Sequence, residues 1–384
     1  MHRWQTAGFG LYVHWPFCQS KCPYCDFNSH VSSQIDNDRW RDAYLSELRR
    51  YAALTPDRVI QSIFFGGGTP SLMPAETAGS IIDEAVRLWT PANDIEITLE
   101  ANPTSVEIDK FKDFSAAGIN RVSVGVQALN DQDLRRLGRM HDAHEARRAI
   151  EISHRVFSRS SFDLMYARQD QTMAAWKAEL SEALLLAGEH LSLYQLTIEP
   201  GTVFGARHEK GLLSGLPNDD TAADMYELTQ DLCDAHGLPQ YEISNHAQAG
   251  AESRHNMIYW RCGDYVGIGP GAHGRLTDSA GQRYATVCPS MPDEWLATAE
   301  RAIEKMVGRE LLRRDERATE FILMGLRLSN GIDLAEYEQI AGTPLSENKL
   351  HLLAGKGLLE VSSGRARITQ NGRLLLNAVL RELL

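Results

Sequence analysis

The segment LYVHWPFCQSKCPYCDFNSH, Leu11 to His30, opens on β-branched and aromatic residues (Leu11 to His14) and runs straight into a loop carrying Cys18, Cys22 and Cys25. Beyond it Trp40, Tyr44, Leu48 and Tyr51 recur at helical spacing, so the order is strand, loop, helix. The unit then repeats. SIFF (Ser62 to Phe65) precedes a helix around Ile81 to Leu88, IEITL (Ile95 to Leu99) precedes Phe111 to Ala117, and RVSVGV (Arg121 to Val126) precedes a helix near Leu134. SFDLMY (Ser161 to Tyr166) leads to the helix Met173 to Leu186, and LSLYQLTI (Leu191 to Ile198) to one near Met225 to Ala235. Such units build a parallel sheet whose functional end is the carboxyl end of its strands. Because about six can be counted rather than eight, the pattern predicts an α/β fold with an incomplete (β/α)6 barrel.

The expected barrel occupies residues 1–235. Residues 236–308 carry YEISNHA, HNMIYW and GDYVGIGPGAHG; the glycines of the last stretch predict an irregular segment closing over the barrel mouth. From 309 to 384 the texture becomes Leu-rich helices (Ala318 to Leu328, Leu334 to Ile340, then a third), a strand, a turn at Ser363 and Gly364, a return strand and a final helix. That order resembles a small winged-helix domain. Lys349, Lys356, Arg365, Arg367, Arg373 and Arg381 would serve a redox-regulated nucleic-acid binder. Against it stand 39 Lys plus Arg facing 51 Asp plus Glu, a net charge of −12 that repels polyphosphate. The expectation is a packing or lid domain and no nucleic-acid partner.

No apolar run approaches the roughly 18 to 20 residues of a membrane span, and His14 and Pro16 interrupt any signal-like core near the start. A cytoplasmic protein is expected. Six cysteines are too few for a disulfide scaffold, and three of them, Cys233, Cys262 and Cys288, are scattered.

The clustered three are spaced C-x3-C-x2-C, which lets one loop present three sulfurs to an iron-sulfur cube. A cube has four irons, so three thiolates leave one open to a ligand with an amine and a carboxylate, such as S-adenosylmethionine (SAM). An electron passed to its sulfonium would release a deoxyadenosyl radical. A structural zinc with His14 or His30 as fourth ligand is the bland alternative, but zinc sites favour paired C-x2-C or H-x3-H spacings. FFGGGTPS follows the second strand, where glycines let the backbone approach a ligand that a Cβ would exclude. A Cβ at Gly67 or Gly68 is expected to weaken SAM binding without removing iron. Glu100, Gln127, Arg139 and Asp163 fall at or near strand ends, where each alone reads as a loop charge or helix cap and together they form a polar ring. His255, in HNMIYW, reads residue by residue as a hydrogen-bonded structural histidine. It is also a possible axial ligand for heme iron, with Tyr259 and Trp260 as flat surfaces.

The cysteine loop and glycine loop together resemble the radical SAM superfamily. LEANP, RVSVGVQ, LSLYQLTIEPGT, YEISNHA, HNMIYW and GDYVGIGPGAHG further resemble the HemW-type heme chaperones, relatives of the oxygen-independent coproporphyrinogen III dehydrogenases. The dehydrogenases resemble C-x3-C-x2-C-x-C; here Phe27 stands at the fourth thiol's place, which argues against dehydrogenase activity. The resemblance implies a [4Fe-4S] cluster on Cys18, Cys22 and Cys25. It also implies SAM contacts from Tyr12, Tyr24, Gly67, Gly68, Thr69, Glu100, Gln127, Arg139 and Asp163, and heme at His255. Heme would be cargo for heme-accepting apoproteins, with an electron donor to the cluster; whether one or two SAM bind stays open. One departure lies in DLMYARQDQT, where Ala167, Arg168 and Gln169 replace the family's usual Gly-Leu-Pro.

Overall fold

A computed structural model describes residues 3–32, 34–301 and 308–384. Six strands, β1 (Phe9–Trp15), β2 (Val59–Gly67), β3 (Thr90–Ala101), β4 (Arg121–Gln127), β5 (Arg159–Tyr166) and β6 (His190–Gln195), pair parallel and in sequence order. They are the wall of the expected (β/α)6 partial barrel. On β1, Leu11, Val13 and Trp15 join the core beneath the outer helices, while Gly10, Tyr12 and His14 face the lumen. The helix Asn37–Leu54 shows how the outer layer is fixed. Asp36 caps it by accepting from the Arg39 amide, a cap worth about 1 kcal/mol, and Trp40, Tyr44, Leu48 and Tyr51 are buried on one face.

Two short strands, β7 (Gln240–Glu242) and β8 (Asn245–Ala247), extend the wall antiparallel beyond β6. At the other edge β9 (Asp264–Ile268) pairs parallel with β1 and leads into β10 (His273–Thr277), β11 (Arg283–Val287) and β12 (Gly308–Leu311). The resulting twelve-stranded sheet ends in β12 and β7, so the barrel stays open.

One expectation is corrected here. GDYVGIGPGAHG is no irregular cover, because its first half is the strand β9. Two of its glycines are demanded by close backbone approach: a Cβ on Gly267 would stand 2.0 Å from the carbonyl oxygen of His273, and one on Gly269, at φ +100°, would stand 2.3 Å from that of His14.

The helix Arg254–Trp260, which carries HNMIYW, plugs the lumen from the strand-start side. The Glu96 carboxylate accepts from the amides of Arg254 and His255 at the helix start while also holding Arg121 and Arg159. Gly10 lets the helix come close, since a Cβ there would lie 3.1 Å from Ile258 and 3.3 Å from the His255 ring.

At the C-terminus the helices Arg314–Gly325, Leu334–Ala341 and Glu347–Gly355 surround a three-stranded sheet of β13 (Ile332–Asp333), β14 (Leu359–Ser362) and β15 (Arg365–Ile368), with β15 central. The β14–β15 turn places Ser363 and Gly364 at φ 51° and 75°, as a tight hairpin requires. Leu326, Ile332, Leu350, Leu353, Leu359 and Ile368 belong to a separate core, which Cys262 of the preceding segment joins. Three of the basic residues of this unit have internal partners: Arg367 pairs with Glu360, Arg365 donates to the carbonyls of Asn330 and Gly331, and Lys349 to that of Leu383. Among the described residues no helix is long and apolar enough to cross a membrane.

Candidate functional site

The carboxyl end of β1 turns directly into the cysteine loop, and the carboxyl end of β2 turns into the glycine loop beside it. The two are stitched together by the Gly68 amide on the Trp15 carbonyl (2.7 Å) and the Thr69 amide on that of Phe17 (2.9 Å). The Thr69 hydroxyl lies 3.4 Å from the Cys18 sulfur, and Asn102, from the end of β3, donates to Thr69. Cys18 is buried and Cys22 and Cys25 are half-buried, all three as free thiols; burial raises the thiol pKa of Cys18 and of Cys25. Among the described residues no three His, Cys, Asp or Glu side chains converge as ligands of one ion, the arrangement zinc would need. A cube takes its thiolates on separate irons and imposes no such convergence.

Arg139 spans the mouth. Its guanidinium donates to the Cys22 sulfur (3.4 Å), the Tyr24 hydroxyl (3.5 Å), Asn102 Oδ1 (2.5 Å) and the Gly125 carbonyl (2.8 Å). Its buried Nε has no partner. Gln127, the last residue of β4, sits at φ 69°, a strained conformation for a residue with a Cβ, next to a register shift in the pairing with β5. A Cβ on Gly125 would touch both Gln127 Nε2 and Arg139, so those two side chains share one space.

Deeper in the lumen Glu100 accepts from the Gly67 amide at 3.3 Å. Burial, and then the charge of Asp163, push its pKa up to about 8. Asp163 itself is raised to about 6 by burial, against the hydroxyls of Ser192 and Ser123 that favour its charge. The two carboxyls are close enough for the charge of Asp163 to raise Glu100 further. The Tyr12 hydroxyl donates to His14 Nδ1 (2.9 Å), and His14 Nε2 donates to the Asn28 carbonyl (2.8 Å), linking the lumen to the far end of the cysteine loop.

Tyr12, Tyr24, Gly67, Gly68, Thr69, Glu100, Gln127, Arg139 and Asp163 thus all lie at one end of the barrel. His255 lies beneath them in the same lumen, its ring 6.3 Å from that of Tyr12. It is 1% exposed on the lumen floor, hydrogen-bonded at both ring nitrogens, to the Ser62 hydroxyl (2.8 Å) and the Tyr259 hydroxyl (2.6 Å). It stacks on Phe64 at 5.0 Å, and burial lowers its pKa to about 3. Tyr259 packs on Tyr265, and Trp260 lies under the Arg327 guanidinium.

Sequence reading missed Asn102, whose signal was its place before Pro103 at a strand end. It also missed Arg168. In the unusual ARQ stretch, Ala167 takes φ 56°, where glycine is usual, and buried Arg168 holds the loop through Asp133, Glu179 and the Gln127 carbonyl. Ala167 takes the glycine's place at positive φ, Arg168 beside it is the ion-paired anchor, and Asp163 is in contact with Ser123.

The model of the radical SAM superfamily matches residues 12–180, and that of the HemN C-terminal domain matches residues 294–375. The chain is 40% identical to the heme chaperone HemW of Escherichia coli over 382 residues, covering 96% of each protein. The chain belongs to the HemW family of radical SAM proteins. HemW of Bacillus subtilis is 35% identical, over 96% of this chain and 97% of that one. Radical S-adenosyl methionine domain-containing protein 1, mitochondrial, of Danio rerio is 36% identical, over 97% of this chain and 86% of that one. Coproporphyrinogen III oxidase (HemN) from Escherichia coli, described as a radical SAM enzyme, shares the fold at a TM-score of 0.81 with 22% identity, covering 98% of this chain and 89% of that one. Membership in the family brings a [4Fe-4S] cluster and SAM as cofactors. The site fits them: three free thiols on one loop, a buried guanidinium nitrogen without a partner, and a glycine at 68 whose absent Cβ would strike the backbone of Phe17.

Proposed function

We propose that this chain is a heme chaperone that carries a [4Fe-4S] cluster on Cys18, Cys22 and Cys25, binds SAM beside it, and passes heme to acceptor apoproteins. The observation that carries the reading is the end-to-end likeness to heme chaperone HemW at 40% identity, with both domains in register. The cluster and SAM, when bound, supply one-electron chemistry at the barrel mouth.

The chain's own residues hold and orient them. The glycine loop keeps the mouth open for the methionine moiety. Glu100 and Asp163 take the positive charge of the amine or sulfonium, Gln127 and Tyr24 line the approach, and Arg139 steadies the Cys22 thiolate. We place the protein in the cytoplasm, a reducing compartment that keeps such thiols free, where an electron donor reduces the cluster.

The dehydrogenase reading is weaker because Phe27 occupies the place of that enzyme's extra thiol, and the nucleic-acid reading because the chain carries a net charge of −12 and Lys349, Arg365 and Arg367 of the C-terminal unit have internal partners. One anaerobic preparation, reconstituted with iron and sulfide, tests all of this. It should bind heme, pass it to an apoprotein, and leave coproporphyrinogen III unconverted; conversion to protoporphyrinogen IX would assign the enzyme instead. Cys22→Ser should abolish the cluster's visible absorption while Cys233→Ser keeps it, since Cys233 is buried in the helix Asp219–Ala235.

A further inference from the structure

Heme iron takes a neutral imidazole whose lone pair can be reached. His255 offers none as it stands: it is 1% exposed and both ring nitrogens are engaged, by the hydroxyls of Ser62 and Tyr259. A different place in the fold meets the requirement without rearrangement. Between the far half of the cysteine loop and the β10–β11 hairpin lies a surface cavity of about 440 Å³, lined by Lys21, Phe27, Asn28, His30, His273 and Val287 among others. That volume is in the range of small-molecule sites.

Two imidazoles, an ammonium, the Asp26 carboxylate and two apolar side chains share this one cavity. Phe27 is 56% exposed and Val287 42%, and Val31 and Met291, which follow lining residues His30 and Ser290 in the chain, are also exposed. Such a rim suits a porphyrin face better than water. His273 is exposed, and no hydrogen bond from its ring to the described residues competes for its lone pairs. His30 is oriented: its Nε2 lies 3.1 Å from Asn28 Oδ1, the kind of hydrogen bond that fixes ring and tautomer in an iron-ligating histidine. Asn28 in turn is held by the carbonyls of Pro270 and Ser290, so the two walls are tied together. Both imidazoles are held below their ordinary pKa by burial, His273 further by Arg275 and His30 by Lys21.

We propose that this cavity is a heme-binding site, with His273 as axial ligand to the iron, His30 as the second imidazole, Phe27 and Val287 against the porphyrin, and Lys21 on a propionate. The proposal rests on the heme-chaperone reading and gives it a location other than His255. It also puts cargo against the same loop that carries Cys22 and Cys25, and through Asn28, His14 and Tyr12 in hydrogen-bonded sequence with the SAM end of the lumen.

The test is titration of the full-length chain with hemin, read by the Soret band and by electron paramagnetic resonance. It compares wild type, His255→Ala, the double variant His30→Ala/His273→Ala, and Val287→Glu, which alters an exposed strand residue and sets a carboxylate against the propionates. The double variant should lose the imidazole-ligated signature and at least tenfold in affinity, with added imidazole restoring the spectrum. Val287→Glu should weaken binding severalfold with the signature kept, and His255→Ala should match wild type. A double variant indistinguishable from wild type, or a signature lost in His255→Ala alone, would overturn the site while leaving the chaperone reading intact. A wild-type chain that binds no heme would bring down the reading and the site together.

Discussion

Arg139 and Cys22, 117 positions apart in the chain, meet at 3.4 Å between guanidinium and sulfur, and the same guanidinium reaches Asn102 and the Gly125 carbonyl. One side chain therefore ties the cysteine loop to the ends of β3 and β4. Hydrogen bonds from a charged donor are worth about 1.5 to 3 kcal/mol each when lost from a buried setting. Arg139→Ala should therefore lower the unfolding free energy by about 3 kcal/mol and reduce the iron and sulfide held after reconstitution. Arg139→Lys keeps the charge but not the fork and should fall between. Equal cluster content and SAM affinity in Arg139→Ala and wild type would make the contact incidental.

The glycine loop separates into two kinds of position. A Cβ at Gly68 would stand 2.8 Å from the Phe17 carbonyl oxygen and 3.0 Å from the Pro16 carbonyl carbon, backbone that leads into Cys18. Gly68→Val is therefore expected to displace the cysteine loop and lose iron along with SAM, contrary to the expectation from sequence that iron would stay. Gly66 is the cleaner probe of the SAM side, since its Cβ would meet Tyr12 at 2.8 Å and the Glu100 carboxylate at 3.2 Å, both side chains. Gly66→Ala should keep a full complement of iron and weaken SAM binding by calorimetry. The reverse pattern in the two variants would relocate the cofactor.

Glu100 gives a pH signature with a definite sign. Its folded pKa of about 8 lies above the ordinary carboxyl value, so the folded state holds a proton that the unfolded state has released, and stability falls as pH rises from about 4.5 to about 8. Because Glu100 is only half-buried, the cost is on the order of 2 kcal/mol rather than the full value of the shift. Glu100→Gln should raise the melting temperature at pH 8.5 and leave it unchanged at pH 4.5. A cationic ligand draws the proton off, so SAM should bind more tightly at pH 8.5 than at pH 6.5 in wild type and with no such gradient in Glu100→Gln. An unchanged gradient in the variant would remove Glu100 from the site.

Much of this was legible in the sequence because barrel strands are short β-branched runs with polar ends. SIFF, IEITL and RVSVGV lie within β2, β3 and β4, and the residues just past them form the mouth. Asp264 to Ile268 was hidden because two of the glycines around it, Gly267 and Gly269, serve backbone contact with His273 and His14, partners that exist only after folding. The position of His255 was hidden for a similar reason. HNMIYW reads as an aromatic cluster, and nothing local says that Glu96, 159 residues earlier, will cap its helix inside the lumen. Arg168 looked like a departure from a family pattern and proved to be an anchor, since its partners Asp133 and Glu179 lie on two different helices.

The buried histidines set the acid limit of the fold. Burial lowers His255 and His246 to about 3 and His141 to about 4, and holds His190 well below its ordinary value. Each is neutral when folded, while the unfolded chain takes up a proton below about pH 6.5, so stability is lost as pH falls through that value. At pH 5 the loss is about 2 kcal/mol for each fully buried ring, against a total that for most domains is about 5 to 15 kcal/mol. Glu100 and Asp163 act with the opposite sign, gaining on acidification through about 8 and about 6 respectively. Above pH 6.5 the carboxyls dominate and below it the four histidines do, so the stability of the ligand-free chain should peak near neutrality and fall steeply below about pH 6. Chemical denaturation at half-unit steps from pH 5 to 9 measures the curve. His141→Gln isolates one contributor, because Gln Nε2 can replace His141 Nε2 as donor to the Val126 carbonyl without titrating. The variant should lose stability between pH 7 and 5 more gently than wild type, by about one proton's worth of slope. Parallel acid limbs in the two proteins would show that His141 does not carry its share of the loss.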